Sequence, residues 1–143
     1  MSDVISLRTF RYMPRAGIVT VVGRPNAGKS TLLNRIIGQK LSITSAKPQS
    51  TRDRVVGIHT DGDTQMVIVD TPGLLNPRYA LQQAMRSAAR QALDDADVIV
   101  HLHDVTEGPP SSLEEAAELD RPPRAPVLLA LNKIDALPPS QRD

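Results

Sequence analysis

GIVTVVGRPNAGKSTLLNRIIG, residues 17–38, is the stretch that decides the fold. Ile18 to Val22 is short, apolar and rich in β-branched residues, which suits a strand covered on both faces in a parallel sheet. GRPNAGKS (23–30) follows, with two glycines and a proline that break any regular period. Leu32, Leu33, Ile36 and Ile37 then recur at helical spacing, and Gly38 stands where a left-handed C-cap is expected. The order is strand, glycine-rich loop, helix.

Gly23-x-x-x-x-Gly28-Lys29-Ser30 matches the phosphate-binding loop pattern. Its glycines let successive backbone N–H groups turn inward onto phosphate oxygens. The helix that starts near Lys29 aims its positive dipole end at the same anions. Lys29 is expected to reach the β- and γ-phosphates, and the Ser30 hydroxyl is a hard ligand for Mg²⁺. Arg24, Pro25, Asn26, Ala27 and Thr31 complete the expected nucleotide-binding loop.

Outward from this unit the periods alternate. VVGIHT and QMVIVD, separated by Asp-Gly-Asp, read as a hairpin with Asp61-Gly62 as its turn signal. One strand of an otherwise parallel sheet is therefore antiparallel. ALQQAMRSAARQAL (80–93) is helical, with Leu81, Met85, Ala88, Ala92 and Leu93 on one side. DVIVHLHD (97–104) and PVLLAL (126–131) are further strands, with a short helix between proline-rich breaks at 106–125. Alternating strands and helices give a three-layer α/β architecture with a mostly parallel sheet. Ligands in such folds bind beyond the carboxyl ends of the strands. Residues 39–54 are a long polar connection, of a kind usually functional or disordered, and 71–79 read as loop.

The 143 residues suit one domain, able to bury roughly 70% of the unfolded chain's surface. Seventeen Lys and Arg against sixteen Asp and Glu give no strong net field that points to nucleic acid or membrane. Without cysteine, disulfides and thiolate metal sites are excluded. No apolar run approaches the ~20 residues of a membrane span. Residues 1–14 read as a flexible N-terminal tail without the apolar core of a signal peptide, and Met13 is an alternative start.

Two more motifs lie at the ligand edge. Asp70-Thr71-Pro72-Gly73 ends a strand. An Asp there holds Mg²⁺, often through water, and Gly73 lets its N–H approach a γ-phosphate. Asn132-Lys133-Ile134-Asp135 follows the last strand. The Asp135 carboxylate can accept the ring N–H and the 2-amino group of guanine in one plane. Adenine lacks both donors, and leaving such an acceptor unpaired costs 10⁴-fold or more. Asn132 can bond the base and nearby loops, and the Lys133 stem can cover the ring.

Phosphate loop, DTPG and NKID in this order resemble the translation-factor-related GTPases. SAKPQSTRDRVVGIHTDGDTQMVIVDTPGLLNPRYALQQAM (45–85) narrows the resemblance to the Era family of bacterial GTPases, over roughly residues 15–135. The MnmE and Der types, which serve tRNA modification and the ribosome, fit this segment less well. The resemblance implies a P-loop NTPase α/β/α sandwich that hydrolyses GTP to GDP and phosphate. It assigns Mg²⁺ to Ser30, Thr51 and Asp70, with Ser50 as the competitor of Thr51. It makes 39–54 and 71–82 nucleotide-controlled switches. The catalytic set becomes Asn26, Lys29, Thr51 and Gly73. Leu74 occupies the position where many GTPases carry a water-orienting Gln. Asn26 either helps hold a K⁺ ion beside the phosphates or simply serves the turn.

The resemblance also implies partners. These are the small ribosomal subunit and its 16S RNA, bound mainly through a C-terminal KH domain absent from these residues. Residence is cytoplasmic, with peripheral association at the inner membrane face as a further implication. The alternative is a GTP-regulated binding module with incidental hydrolysis. Residues 15–143 are expected to be an incomplete GTPase domain, lacking the last strand and helix and leaving an apolar sheet edge open. His101 and His103 are expected to be structural, His59 exposed, EEAAELD a solvated helix face, and Arg52 and Arg54 surface residues.

Overall fold

The computed structural model describes residues 15–42, 51, 53–74 and 76–142. The expected tail and start at Met13, and the readings of Ser50 and Arg52, lie outside the described residues. Strand β1 (Arg15–Val22) leads through the Gly-rich loop into helix α1 (Lys29–Ile37). Gly38 closes α1 as expected, with φ 77° and its N–H on Asn34 O. Strands β2 (Val55–Asp61) and β3 (Thr64–Asp70) form the hairpin. Its turn is Gly62-Asp63, since Asp61 still pairs with Thr64. Gly62 takes a positive φ there, at no steric cost. Helix α2 (Ala80–Asp94), strand β4 (Val98–Asp104), the short helix α3 (Leu113–Ala117) and strand β5 (Val127–Asn132) complete the order.

The sheet order is β2-β3-β1-β4-β5. Only the β2–β3 pair is antiparallel. Successive residues of a strand face opposite sides, so β1 feeds two cores. Val21 packs with Leu33, Ile68 and Leu102 on the α1 side, and Val22 packs with Leu93, Ile99, Leu113 and Ala117 under α2 and α3. This is the expected three-layer sandwich. The register sets Val21 opposite Asp70 and Asp104 opposite Asn132, so the three motifs emerge at one edge of the sheet.

Three expectations are corrected. The buried stripe of α2 is Gln82, Met85, Ala89, Ala92 and Leu93, and Leu81 is exposed. Alanines surround this helix, so its inward face is chosen by the packing angle and not by composition. His59 is half-buried, because it points with Gly57 toward the α1 face of β2. The acidic run is not wholly solvated: Glu118 pairs with Arg86 of α2.

The open edge is present. Val127, Leu128, Leu129 and Leu131 of β5 are all exposed, and only Ala130 packs against the core. None of the described helices is long and apolar enough to cross a membrane.

Candidate functional site

The Gly-rich loop is held by the other two motifs as well as by its own bonds. Gly28 has φ 104°, and a side chain there would run into the Asn132 amide. That amide instead donates to Ala27 O at 2.8 Å. Gly73 has the same constraint from another side. A Cβ on it would lie 2.7 Å from Pro25 N and 2.9 Å from Pro25 Cα, closer than atoms can sit. The Leu74 N–H donates to Gly23 O at 2.9 Å. DTPG and NKID thus each touch the phosphate loop directly.

Lys29 opens α1 and is 6% exposed. Its ammonium donates to Arg24 O at 2.8 Å, which bridges the loop. Burial lowers its pKa to about 8 against a smaller opposing pull from Asp70. An anion beside Lys29 would oppose that shift. Asn26 has φ 64° and an exposed side chain. Asn is among the few non-glycine residues that tolerate this angle, which accounts for its presence without a cation.

The Asp70 carboxylate is fully buried and forms the centre of a hydroxyl cluster. Its Oδ2 accepts from Ser30 Oγ at 2.6 Å, Ser42 Oγ at 3.0 Å and, weakly, Thr51 Oγ1 at 3.4 Å. Ser30 and Thr51 hydroxyls are 3.1 Å apart. Asp70 Oδ1 is buried without a partner among the described residues. A buried, unmatched carboxylate oxygen is costly, about 1–3 kcal/mol or more, unless a ligand satisfies it. The orphaned oxygen and the surrounding hydroxyls suit Mg²⁺, which takes hard oxygens and few protein carboxylates, completing its shell with water and phosphate. Ser30, Thr51 and Asp70, proposed from the sequence as its ligands, are brought together here. Ser42 and the Asn34 that holds it were not anticipated; the only sequence signal was the spacing Ser30 to Asn34, one helical turn.

At the other end of the site, Lys133 sits at φ 62°. Its ammonium reaches Asp104 Oδ2 at 2.6 Å. Asp104 also accepts from the Thr106 N–H and hydroxyl, at 2.9 and 2.6 Å. Burial pushes the Asp104 carboxyl up, but these bonds and the Lys133 charge outweigh it and hold it below the usual carboxylate range. Sequence reasoning missed Asp104, although an acid at the carboxyl end of a central strand is a signal. Asp135 lies in the 3-10 turn Ile134–Ala136, exposed, with its backbone O accepting from Arg142.

Some anticipated residues point elsewhere. Arg24 is exposed and pairs with Glu107 at 3.2 Å. Leu74 is buried in the core under α2 and α3. Thr71 donates to Val21 O at 2.9 Å and is buried with Pro72, so both serve as struts. Thr31 is exposed on α1.

Comparison with known proteins agrees with this geometry. Residues 18–133 match the family model described as 50S ribosome-binding GTPase. GTPase Era of Pasteurella multocida is 52% identical over 120 residues, covering 83% of this chain and 39% of that protein. GTPase Era of Lactobacillus delbrueckii subsp. bulgaricus is 45% identical over 127 residues, covering 89% and 42%. The chain therefore spans about two-fifths of the length of these relatives. Among solved structures, Era in complex with MgGDPNP and nucleotides 1506–1542 of 16S ribosomal RNA superposes with a TM-score of 0.82 at 40% identity, covering 90% of this chain and 44% of that one. NFeoB from S. thermophilus bound to GDP.AlF4⁻ and K⁺ superposes with a TM-score of 0.60 at 28% identity, covering 85% and 46%. A matched model spanning most of the chain, together with three interlocked nucleotide motifs at one sheet edge, places this protein in the 50S ribosome-binding GTPase family.

Proposed function

We propose that the chain binds GTP with Mg²⁺ and hydrolyses it to GDP and phosphate, as the switch of a protein that works in small ribosomal subunit assembly. The observation that carries the reading is the contact of the phosphate loop with DTPG on one side and NKID on the other. It would bring phosphate, metal and guanine recognition within reach of one nucleotide. The likeness to an Era bound to MgGDPNP and a 16S RNA fragment supports the choice of nucleotide, ion and RNA partner. Cytoplasmic residence goes with this reading.

In it, backbone N–H groups of residues 23–30 and the Lys29 ammonium bind the phosphates. Ser30, Thr51 and Asp70 hold Mg²⁺, which when bound neutralises charge on the β- and γ-phosphates. Asp135 accepts from guanine, Asn132 joins that loop to the phosphate loop, and Lys133 covers the base after leaving or sharing Asp104. The Gly73 N–H meets the γ-phosphate, and its release after hydrolysis frees 71–79. Leu74 cannot orient a water, so intrinsic turnover is slow, on the order of 10⁻⁴ s⁻¹.

A specific observation favours K⁺ assistance. Asn26 stands exposed at the loop's outer edge, and the similar NFeoB binds K⁺ with GDP.AlF4⁻. Turnover should then be several-fold faster in K⁺ than in Na⁺ at equal ionic strength, and Asn26→Ala should remove the difference. The parent reading is tested by competing fluorescent GDP with GDP and ADP. Displacement by ADP as effective as by GDP overturns it. Asp135→Asn should move preference toward xanthine nucleotides, since Asn can donate to a 2-oxo group.

A further inference from the structure

Four residues past Ser30, on the same face of α1, Asn34 makes three hydrogen bonds to the chain that leaves the helix. Its Oδ1 accepts from the Leu41 and Ser42 N–H groups at 2.9 and 2.8 Å, and its Nδ2 donates to Ser42 O at 2.8 Å. The side chain therefore holds Ser42 as a peptide neighbour would, in both directions. Ser42 is 1% exposed, and its hydroxyl is spent on Asp70 Oδ2.

Three hydroxyls share that one oxygen. Ser30 and Thr51 are also the hydroxyls that the proposed metal site needs, so each must give up Asp70 when it turns to an ion. Ser42 has no such second task, and Asn34 keeps its backbone from moving away. We propose that Asn34 and Ser42 are positioning residues for the metal. They form a latch from α1 through Ser42 to Asp70 that holds Oδ2 in place when Ser30 and Thr51 leave, with Oδ1, which has no partner among the described residues, as the oxygen that remains for the ion or its water. Groups that orient a metal-holding carboxylate commonly govern affinity by 10–100-fold. The latch also ties the first residues of the 39–54 segment to the metal site, independently of Thr51 at its far end.

This inference rests on the Mg²⁺–nucleotide reading above, and its test separates the two. Release of fluorescent GDP from the full chain is measured against Mg²⁺ concentration and again in excess EDTA. The wild-type chain should release GDP more slowly as Mg²⁺ rises. Ser42→Ala and Asn34→Ala should each raise the Mg²⁺ concentration for half-maximal slowing about tenfold, with the EDTA release rate unchanged. The double variant should lose no more than either alone, because both act through one contact. Variants that match the wild type in Mg²⁺ dependence overturn the latch and leave the parent reading intact. Variants that speed release equally with Mg²⁺ and with EDTA reduce Ser42 and Asn34 to general packing and also overturn it. A wild-type chain that binds GDP with no Mg²⁺ effect overturns the latch and the metal reading together. If Ser42→Ala fails to fold, Asn34→Ala alone carries the test, since it leaves the buried hydroxyl in place.

Discussion

Lys29 carries a conflict that the ligand resolves. An ammonium buried in this loop has its pKa lowered to about 8 from 10.5. The fold therefore binds this proton less tightly than the unfolded chain does. Between about pH 8 and 10.5 the unfolded chain holds the proton and the fold does not, so nucleotide-free stability should rise with pH across that window. Below pH 8 both states are charged and the penalty is constant. Lys29→Met should relieve it, raising nucleotide-free stability by up to about 3 kcal/mol in urea unfolding while abolishing GDP binding. A variant that is less stable at pH 7 than the wild type would contradict the burial argument.

Leu74 shows how position and role can part. By sequence it occupies the place of a water-orienting glutamine. In the fold it packs with Leu93, Leu113 and Ala117. Leu74→Gln should therefore not accelerate hydrolysis. It should bury an amide under α2 and α3 and cost about 2–3 kcal/mol, read as a fall in the urea midpoint with the slope unchanged. Asn26 is the reverse case: its residue type is explained by φ 64° alone, so K⁺ dependence must be measured and not inferred from identity.

At the scale of elements, β4 lays His101 and His103 under α3. His101 is 4% exposed and His103 Nε2 lies 2.8 Å from Gly108 O. Burial lowers the pKa of His101, and the neighbouring His103 lowers it further, against a weaker opposing pull from Glu114. The fold thus prefers neutral His101. Its contribution is present above the unfolded value near 6.5 and is lost as pH falls below it. The melting temperature should drop between pH 7 and pH 5, and His101→Leu should flatten that drop. An unchanged acid slope would remove His101 as the cause. The α2–α3 contact is legible only in three dimensions. Arg86 and Arg90 of α2 both reach Glu118, the former to its carboxylate and the latter to its backbone oxygen. In the sequence they are merely basic residues on a helix 28 or more positions away.

For the whole molecule, β5 is the exposed edge. Val127, Leu129 and Leu131 line one face and Leu128 the other, all accessible. Such an edge offers unpaired backbone and apolar side chains together, a template for association. Light scattering of the concentrated chain should fall in the double variant Leu129→Lys, Leu131→Glu, with GDP affinity retained. Saturating GDP should stabilise the fold by about 2.7 kcal/mol at a hundred times its Kd, but should not remove the association, because it would dock at the carboxyl end of β5 and leave Val127, Leu128 and Leu129 accessible.

Strand, loop and helix order, the hairpin, the Gly38 cap and the three motifs were all determined by the sequence alone. Each depends on local chemistry: β-branching, helical spacing, a backbone angle only glycine tolerates, or a fixed run of ligand types. The tertiary structure alone decided the rest. Which side of the alanine-rich α2 faces inward depends on the packing angle against the sheet. That Gly73 must be glycine because Pro25 abuts it depends on two loops 48 positions apart meeting at one edge. That Ser42 and Asn34 belong to the metal site depends on Ser42 being carried to Asp70 by a chain with no period of its own. Local rules specify what a residue can do, and non-local packing specifies what it has to do it with.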